Sequence, residues 1–187
     1  DSNELSGYMG TYIFYSSGLK ITNNKMTGFK SSSYYGVYNY YAYDGPEISN
    51  NRVAGYYGYG MYAYLFQGSS AKRAKVVNNS VVMDPSKSGQ SAFTTSSIVE
   101  TDIVNNTFIY NGSSYTYSYG VNISSGTGKN NKVLNNVIAN FSTSSNYGSY
   151  VYYNTGYNFQ MDYNNLYSGG TNFMSGSATA KDLDAWR

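Results

Sequence analysis

The chain has 187 residues, a formal net charge of +2 and only 12% charged residues. That length suffices for one domain with a sizeable core, and the near-neutral balance excludes the basic footprint of a nucleic-acid or membrane-surface binder. With no Cys and no His, thiol nucleophiles, His-based triads and His-ligated metal sites are excluded as well.

Taken in chain order, residues 1–11 carry no pattern that predicts an element. Tyr12-Ile13-Phe14-Tyr15 predicts a short strand, closed by Ser16-Ser17-Gly18. A phrase of the form apolar, small, Asn, Asn, variable, apolar then appears as Ile21-Thr22-Asn23-Asn24-Lys25-Met26. It returns at Ile48–Val53, Val76–Val81, Ile103–Phe108 and Val133–Ile138, and in a degenerate copy at Met161–Leu166. New strands are expected from Gly36-Val37-Tyr38, Gly60-Met61-Tyr62, Ala92-Phe93-Thr94, Gly120-Val121-Asn122 and Tyr150-Val151-Tyr152. Between them lie turn signals such as Asp44-Gly45-Pro46, Ser86–Gly89, Asn111–Ser114 and Ser124–Gly128. No stretch before the last few residues has a helical period.

The second Asn of each phrase falls at 24, 51, 79, 106, 136 and 164, at intervals of 27, 28, 27, 30 and 28 residues. A fixed period of this size predicts stacked coils, because one coil cannot bury its own apolar side. In-register stacking puts Ile21, Ile48, Val76, Ile103, Val133 and Met161 in one inward column. Met26, Val53, Val81, Phe108, Ile138 and Leu166 form a second. The register has a test in charge: four residues before the ladder Asn the outward column reads Lys20, Glu47, Lys75, Asp102, Lys132, Gln160. Such alternation sets opposite charges side by side, and arises about one time in sixteen for random signs.

These phrases resemble the coil repeat of the right-handed parallel β-helix, the pectate-lyase-like superfamily. The resemblance covers roughly residues 10–170. It implies an all-β, right-handed parallel β-helix solenoid of about six coils of 27–30 residues, in a single domain over 1–187. It also implies an asparagine ladder inside the solenoid, at Asn24, Asn51, Asn79, Asn106, Asn136 and Asn164. Asn suits the role: it tolerates a left-handed turn conformation, and its amide both donates and accepts. The tail over 171–187, with Lys181–Arg187, is similar to the segment after the last coils of secreted bacterial β-helix proteins, where the chain continues. A fragment of a longer chain is therefore expected. The Tyr-, Asn-, Ser- and Gly-rich, Lys- and Glu-poor balance predicts a secreted or cell-surface bacterial protein, with no apolar run near the ~18 residues a membrane span needs.

The fold resemblance leaves function open, since such solenoids include lyases, hydrolases, adhesins and filament proteins. A lyase of this type uses a carboxylate cluster with calcium and a basic residue; a hydrolase uses paired carboxylates. The ten carboxylates are dispersed, and the closest candidates are Asp44/Glu47, Glu100/Asp102 and Asp162. Glu47 and Asp102 are expected about 10 Å apart with Lys75 between them. Lys72-Arg73-Lys75 reads as a solvated loop cluster, and the Asn78 and Asn105 sequons carry little information in so Asn-rich a chain.

No catalytic residue, metal ligand or cofactor is assigned; calcium is expected only under the lyase reading. The distinctive outward feature is aromatic. The column after Ile13, Val37, Met61, Phe93, Val121 and Val151 reads Phe14, Tyr38, Tyr62, Thr94, Asn122, Tyr152, with Tyr40 and Tyr64 two positions on. Three readings stand for Phe14, Tyr38, Tyr40, Tyr62, Tyr64 and Tyr152: coil-to-coil stabilisation, contact with a polysaccharide, or contact with a protein or a second copy. The function expected is a non-catalytic extracellular module of surface or adhesion type. The alternatives are part of a polysaccharide lyase or glycoside hydrolase, and a filament or surface-layer subunit associating through coil ends.

Overall fold

The computed structural model describes residues 2–29, 33–83, 91–111, 118–124, 130–142, 159–169, 174–175 and 179–180. The chain starts with β1 (Glu4–Gly7) and then winds through turns of three strands each. The first turn is β2 (Met9–Ser17), β3 (Lys20–Thr22) and β4 (Lys25–Gly28); the second is β5 (Tyr35–Tyr43), β6 (Glu47–Ser49) and β7 (Arg52–Ala54). The third is β8 (Tyr59–Phe66), β9 (Ala74–Val77) and β10 (Ser80–Val82), and the fourth is β11 (Ser91–Ser96), β12 (Thr101–Val104) and β13 (Thr107–Tyr110). A fifth comprises β14 (Tyr119–Ser124), β15 (Asn131–Leu134) and β16 (Val137–Asn140). Two strands of a sixth follow, β17 (Phe159–Asp162) and β18 (Asn165–Ser168), then an antiparallel pair, β19 (Met174–Ser175) and β20 (Thr179–Ala180). Of the six coils expected, four thus carry three strands with exposure defined throughout, and the last two are described in part.

Corresponding strands pair in parallel into three long sheets, which makes the chain an all-β parallel solenoid. Sheet A runs β1-β4-β7-β10-β13-β16-β18, sheet B runs β2-β5-β8-β11-β14, and sheet C runs β3-β6-β9-β12-β15-β17. Both predicted inward columns hold residue for residue. They meet a third column from sheet B, Val37, Met61, Phe93 and Val121, in one continuous core. Phe93 stacks on Phe108 across that core, with ring centroids 4.9 Å apart. A neighbouring column is kept small by Gly10, Gly36, Gly60, Ala92 and Gly120. At Gly36 a Cβ would lie 2.3 Å from Val53 Cγ1 and 2.4 Å from the Gly60 carbonyl oxygen, so sheet B closes onto the core only over a hydrogen.

The Asn-Asn phrase divides its labour differently from expectation. The first residue of the pair takes the left-handed conformation: Asn23, Asn50, Asn78, Asn105, Asn135 and Tyr163 have φ between 55° and 58°. All six are exposed. The second Asn turns inward, and Asn51, Asn79, Asn106 and Asn136 are almost wholly buried. Each ladder Oδ1 accepts both the backbone N–H and the Nδ2–H of the Asn one coil earlier, as Asn79 does from Asn51 at 3.0 Å each. From Asn51 onward each Nδ2 also donates back to a carbonyl one phrase behind, Asn79 to Ile48 at 2.9 Å and Asn106 to Val76 at 2.8 Å. One residue could not serve both ends, because the turn needs positive φ and the ladder needs an inward side chain.

Two further corrections concern the first coil. Residues 1–11 are not featureless: β1 pairs with β4, and Ser2-Asn3-Glu4-Leu5 is a shortened copy of the phrase. Ser2 is left-handed at φ 56°, and Asn3 donates its N–H and Nδ2–H to Asn24 Oδ1 at 3.2 Å, adding a rung ahead of the six expected. Its Asn stands 21 residues before Asn24, outside the repeat period, so spacing does not reveal the copy. In β2 the expected register slips by two: Thr11, not Ile13, pairs with Val37, and Phe14 pairs with Tyr40. A two-residue slip leaves each side chain on the same face, so alternation alone cannot detect it.

Candidate functional site

The outward side of sheet B is an aromatic array. With the register corrected, one column is Tyr12, Tyr38, Tyr62, Thr94, Asn122 and the next is Phe14, Tyr40, Tyr64, Ser96, Ser124. A third begins with Met9, Tyr35 and Tyr59, followed by Ser91. The rings stack along the solenoid axis: Tyr12 on Tyr38 at 4.5 Å, Tyr38 on Tyr62 at 5.1 Å, Tyr40 on Tyr64 at 4.8 Å and Tyr35 on Tyr59 at 5.5 Å. Parallel in-register pairing sets this spacing directly. Because interplanar angles within these pairs are only 4° to 17°, most ring faces are covered by the next ring. Solvent meets ring edges and phenol hydroxyls. The array ends where Ser91, Thr94 and Ser96 replace the aromatics in β11, and Ser91 and Thr94 are buried and hydrogen-bonded to each other. At the other end, Tyr12 and Phe14 are 49% and 47% exposed. Tyr152 lies outside the described residues.

No charged side chain stands among the outward positions of the array in β2, β5 and β8, and burial raises the pKa of Tyr35, Tyr38 and Tyr62. Burial pushes the Tyr35 hydroxyl up to about 12, with the phenols of Tyr34, Tyr38, Tyr12 and Tyr62 adding to the effect. Tyr38 and Tyr62 are raised for the same reasons, burial first. A folded-state value above the unfolded 10.0 means the unfolded chain loses its proton first. The contribution to stability is therefore complete below pH 10 and is lost as pH climbs towards about 12. Thermal midpoints are expected to fall across that window, and Tyr35→Phe to flatten the fall; an identical slope in the variant would contradict the assignment.

One edge of the array is a tight corner. Tyr15, Tyr41, Leu65 and Ser97 are all left-handed, with φ of 49°, 75°, 50° and 56°. The bend turns Ala42, Phe66 and Ile98 into the core. Beyond it the third turn carries an insertion, Gly68–Arg73, that delivers two cations to neighbouring coils. Lys72 Nζ reaches back to Asp44 at 3.1 Å. Arg73 reaches forward: Nε and Nη2 hold Asp102 at 2.9 and 2.7 Å, Nη1 donates to Glu100, and Nη2 also donates to the Asn130 carbonyl at 2.7 Å. Asn130 Nδ2 in turn donates to Glu100 at 2.6 Å. The expected solvated loop cluster is thus a set of partnered cations, and Lys75 belongs to β9 instead. Arg73 is held more firmly protonated, chiefly by its hydrogen bond to Asp102.

The chain matches no family model, no curated protein and no solved structure.

The charge column of sheet C has the predicted register, Lys20 beside Glu47, Glu47 beside Lys75, Lys75 beside Asp102 and Asp102 beside Lys132. Its acids are nevertheless engaged elsewhere, Asp102 by Arg73 and Glu47 by the Ser49 hydroxyl at 2.6 Å. Of the carboxylate pairs read from the sequence, the structure joins Glu100 and Asp102, through Arg73. All four of their oxygens already accept a hydrogen bond. No group of three or more Asp or Glu residues able to hold a metal occurs among the described residues.

Proposed function

We propose that the chain is a non-catalytic module of a bacterial surface or secreted protein, of the pectate-lyase-like type, that contacts a polysaccharide through the outward face of sheet B. The observation that carries this reading is the array of Tyr12, Tyr38, Tyr62, Phe14, Tyr40, Tyr64, Tyr35 and Tyr59: flat, uncharged and edged with phenol hydroxyls. The stacking also braces the coils, and one does not preclude the other. Contact is through hydroxyls and ring edges, with ring faces free for a sugar only at the column ends. Tyr38→Ala combined with Tyr62→Ala is expected to abolish retention on insoluble polysaccharide while the solenoid stays folded by circular dichroism. Unchanged retention by that double variant would remove the reading.

A second reading has its own observation. β2 is the outer strand of sheet B, nine residues long and free of charge and proline. Exposed Tyr8, Met9, Tyr12, Phe14, Tyr15 and Phe29 cluster about it. An edge with no such protection favours pairing with another strand, which supports self-association at this end. Sedimentation over a range of concentration distinguishes this reading, since a monomer at every concentration is incompatible with it.

A further inference from the structure

Around the corner from the aromatic array, a cleft of about 540 Å³ opens between the insertion of the third turn and the outer strands of sheet C. Its size is that of a small-ligand site. Ser70, Arg73, Glu100, Asn130, Lys132 and Gln160 line it, with Asn131 in its floor. We propose that this cleft is a second subsite of the glycan contact and takes an uncharged, hydroxyl-rich sugar. The proposal deepens the polysaccharide reading of the sheet B face and rests on it.

The charges of the cleft argue for a neutral ligand. Arg73 and Lys132 stand in the lining with Glu100, and Asp102, behind the lining, is held by Arg73. Arg73 spends its fork on the two carboxylates, so the planar pairing that recognises a free carboxylate is already used within the protein. An incoming anion would find only the Lys132 ammonium unengaged, and an incoming cation would find each carboxylate oxygen engaged. Gln160, Ser70 and Lys132 are exposed, and their side chains make no hydrogen bond among the described residues. Gln160 offers both an acceptor and donors, Ser70 offers both, and Lys132 donates. Sugar hydroxyls, which donate and accept at once, match such a set.

The walls are also built in advance. Asn131 is buried, accepting from the Thr101 N–H at 3.0 Å and donating to the Ile98 carbonyl at 3.1 Å. The Arg73 network fixes the facing side. A rigid polar site avoids part of the ordering cost of binding. The chain places this cleft next to the array: Tyr64 precedes the insertion that carries Ser70 and Arg73, and Ser96 precedes Glu100. A glycan crossing the Leu65–Ser97 corner would meet both.

Calorimetric titration of the whole chain with soluble neutral oligosaccharides (cello-, xylo- and manno-series) and with oligogalacturonate tests the assignment. One neutral series is expected to bind, oligogalacturonate not. Gln160→Ala and Lys132→Ala are each expected to weaken binding about three- to tenfold, as the loss of one hydrogen bond does. Lys75→Ala, in the same column but outside the cleft, is expected to leave it unchanged. Preference for oligogalacturonate, or affinity indifferent to Gln160 and Lys132, overturns the cleft. If those variants bind normally while the Tyr38/Tyr62 double variant loses retention, the subsite fails and the aromatic face stands. If the double variant retains polysaccharide and oligosaccharide affinity still tracks Gln160, the face fails and the cleft alone holds the sugar.

Discussion

Asn79→Ala is expected to cost about 3–4 kcal/mol in chemical denaturation, more than a typical surface substitution and as much as many core truncations. The change strips the acceptor from two donors of Asn51, its N–H and Nδ2–H, both inside the solenoid. It also takes the donor from the Ile48 carbonyl and from Asn106 Oδ1. A buried polar group left unpartnered costs about 1–3 kcal/mol, and no solvent reaches these to replace what is lost. Asn79→Asp is expected to be no better, because it removes the donor and buries a charge. The neighbouring position separates turn from ladder. Asn78→Ala is expected to cost only about 1–2 kcal/mol, the penalty of a left-handed residue with a Cβ, and Asn78→Gly to recover most of it. Equal losses at 78 and 79, or no rescue by glycine, would contradict the division of labour.

Arg73→Met is expected to cost about 2–4 kcal/mol and to loosen the corner between the third and fifth coils. The guanidinium joins three consecutive coils, its own, that of Glu100 and Asp102, and that of Asn130. The Arg73, Glu100 and Asp102 side chains are only 22%, 14% and 22% exposed. Removing the cation leaves two poorly solvated carboxylates facing each other, which is costlier than never having had the pair. Arg73→Lys is expected to recover little, since an ammonium cannot reproduce the two-point hold on Asp102. Lys72→Met, which breaks the exposed pair with Asp44, is expected to change stability by less than about 1 kcal/mol. Amide exchange locates the effect. Faster exchange confined to β9, β12 and β15 fits, whereas a Lys72 effect as large as that of Arg73 does not.

The outward tyrosines illustrate how far alternation can be trusted. Tyr38, Tyr40, Tyr62 and Tyr64 were placed on one face from sequence, and they lie there in adjacent strands. Phe14 lies on the expected face but one column away, because Thr11 and not Ile13 aligns with Val37. Alternation does not reveal Tyr35 and Tyr59. They precede the inward pair Gly36-Val37 or Gly60-Met61, where two successive residues face the core and the simple alternation breaks. Their only sequence signal was position, each directly before the glycine of its coil.

The corner cleft had almost no signal. Arg73 and Asp102 are 29 residues apart and Arg73 and Asn130 are 57 apart, and the insertion bearing Arg73 leaves the 28-residue interval between Asn51 and Asn79 in line with the others, so the period does not announce it. Within the column, Asp102 was paired by register with lysines; which cation it holds depends on how far a loop reaches, and only the folded insertion decides that.

The sequence by itself determined the solenoid, its three-strand period, its inward columns and its ladder. Those follow from a repeat, and in-register stacking converts a repeat into contacts without further information. The tertiary structure alone decided what the repeat does not encode: which Asn of each pair bends the chain, that the stacked tyrosines present mostly edges and hydroxyls, and that Arg73 gathers the two carboxylates. Each depends on side-chain direction or on the path of a loop within the coil, and neither is a property of residue spacing.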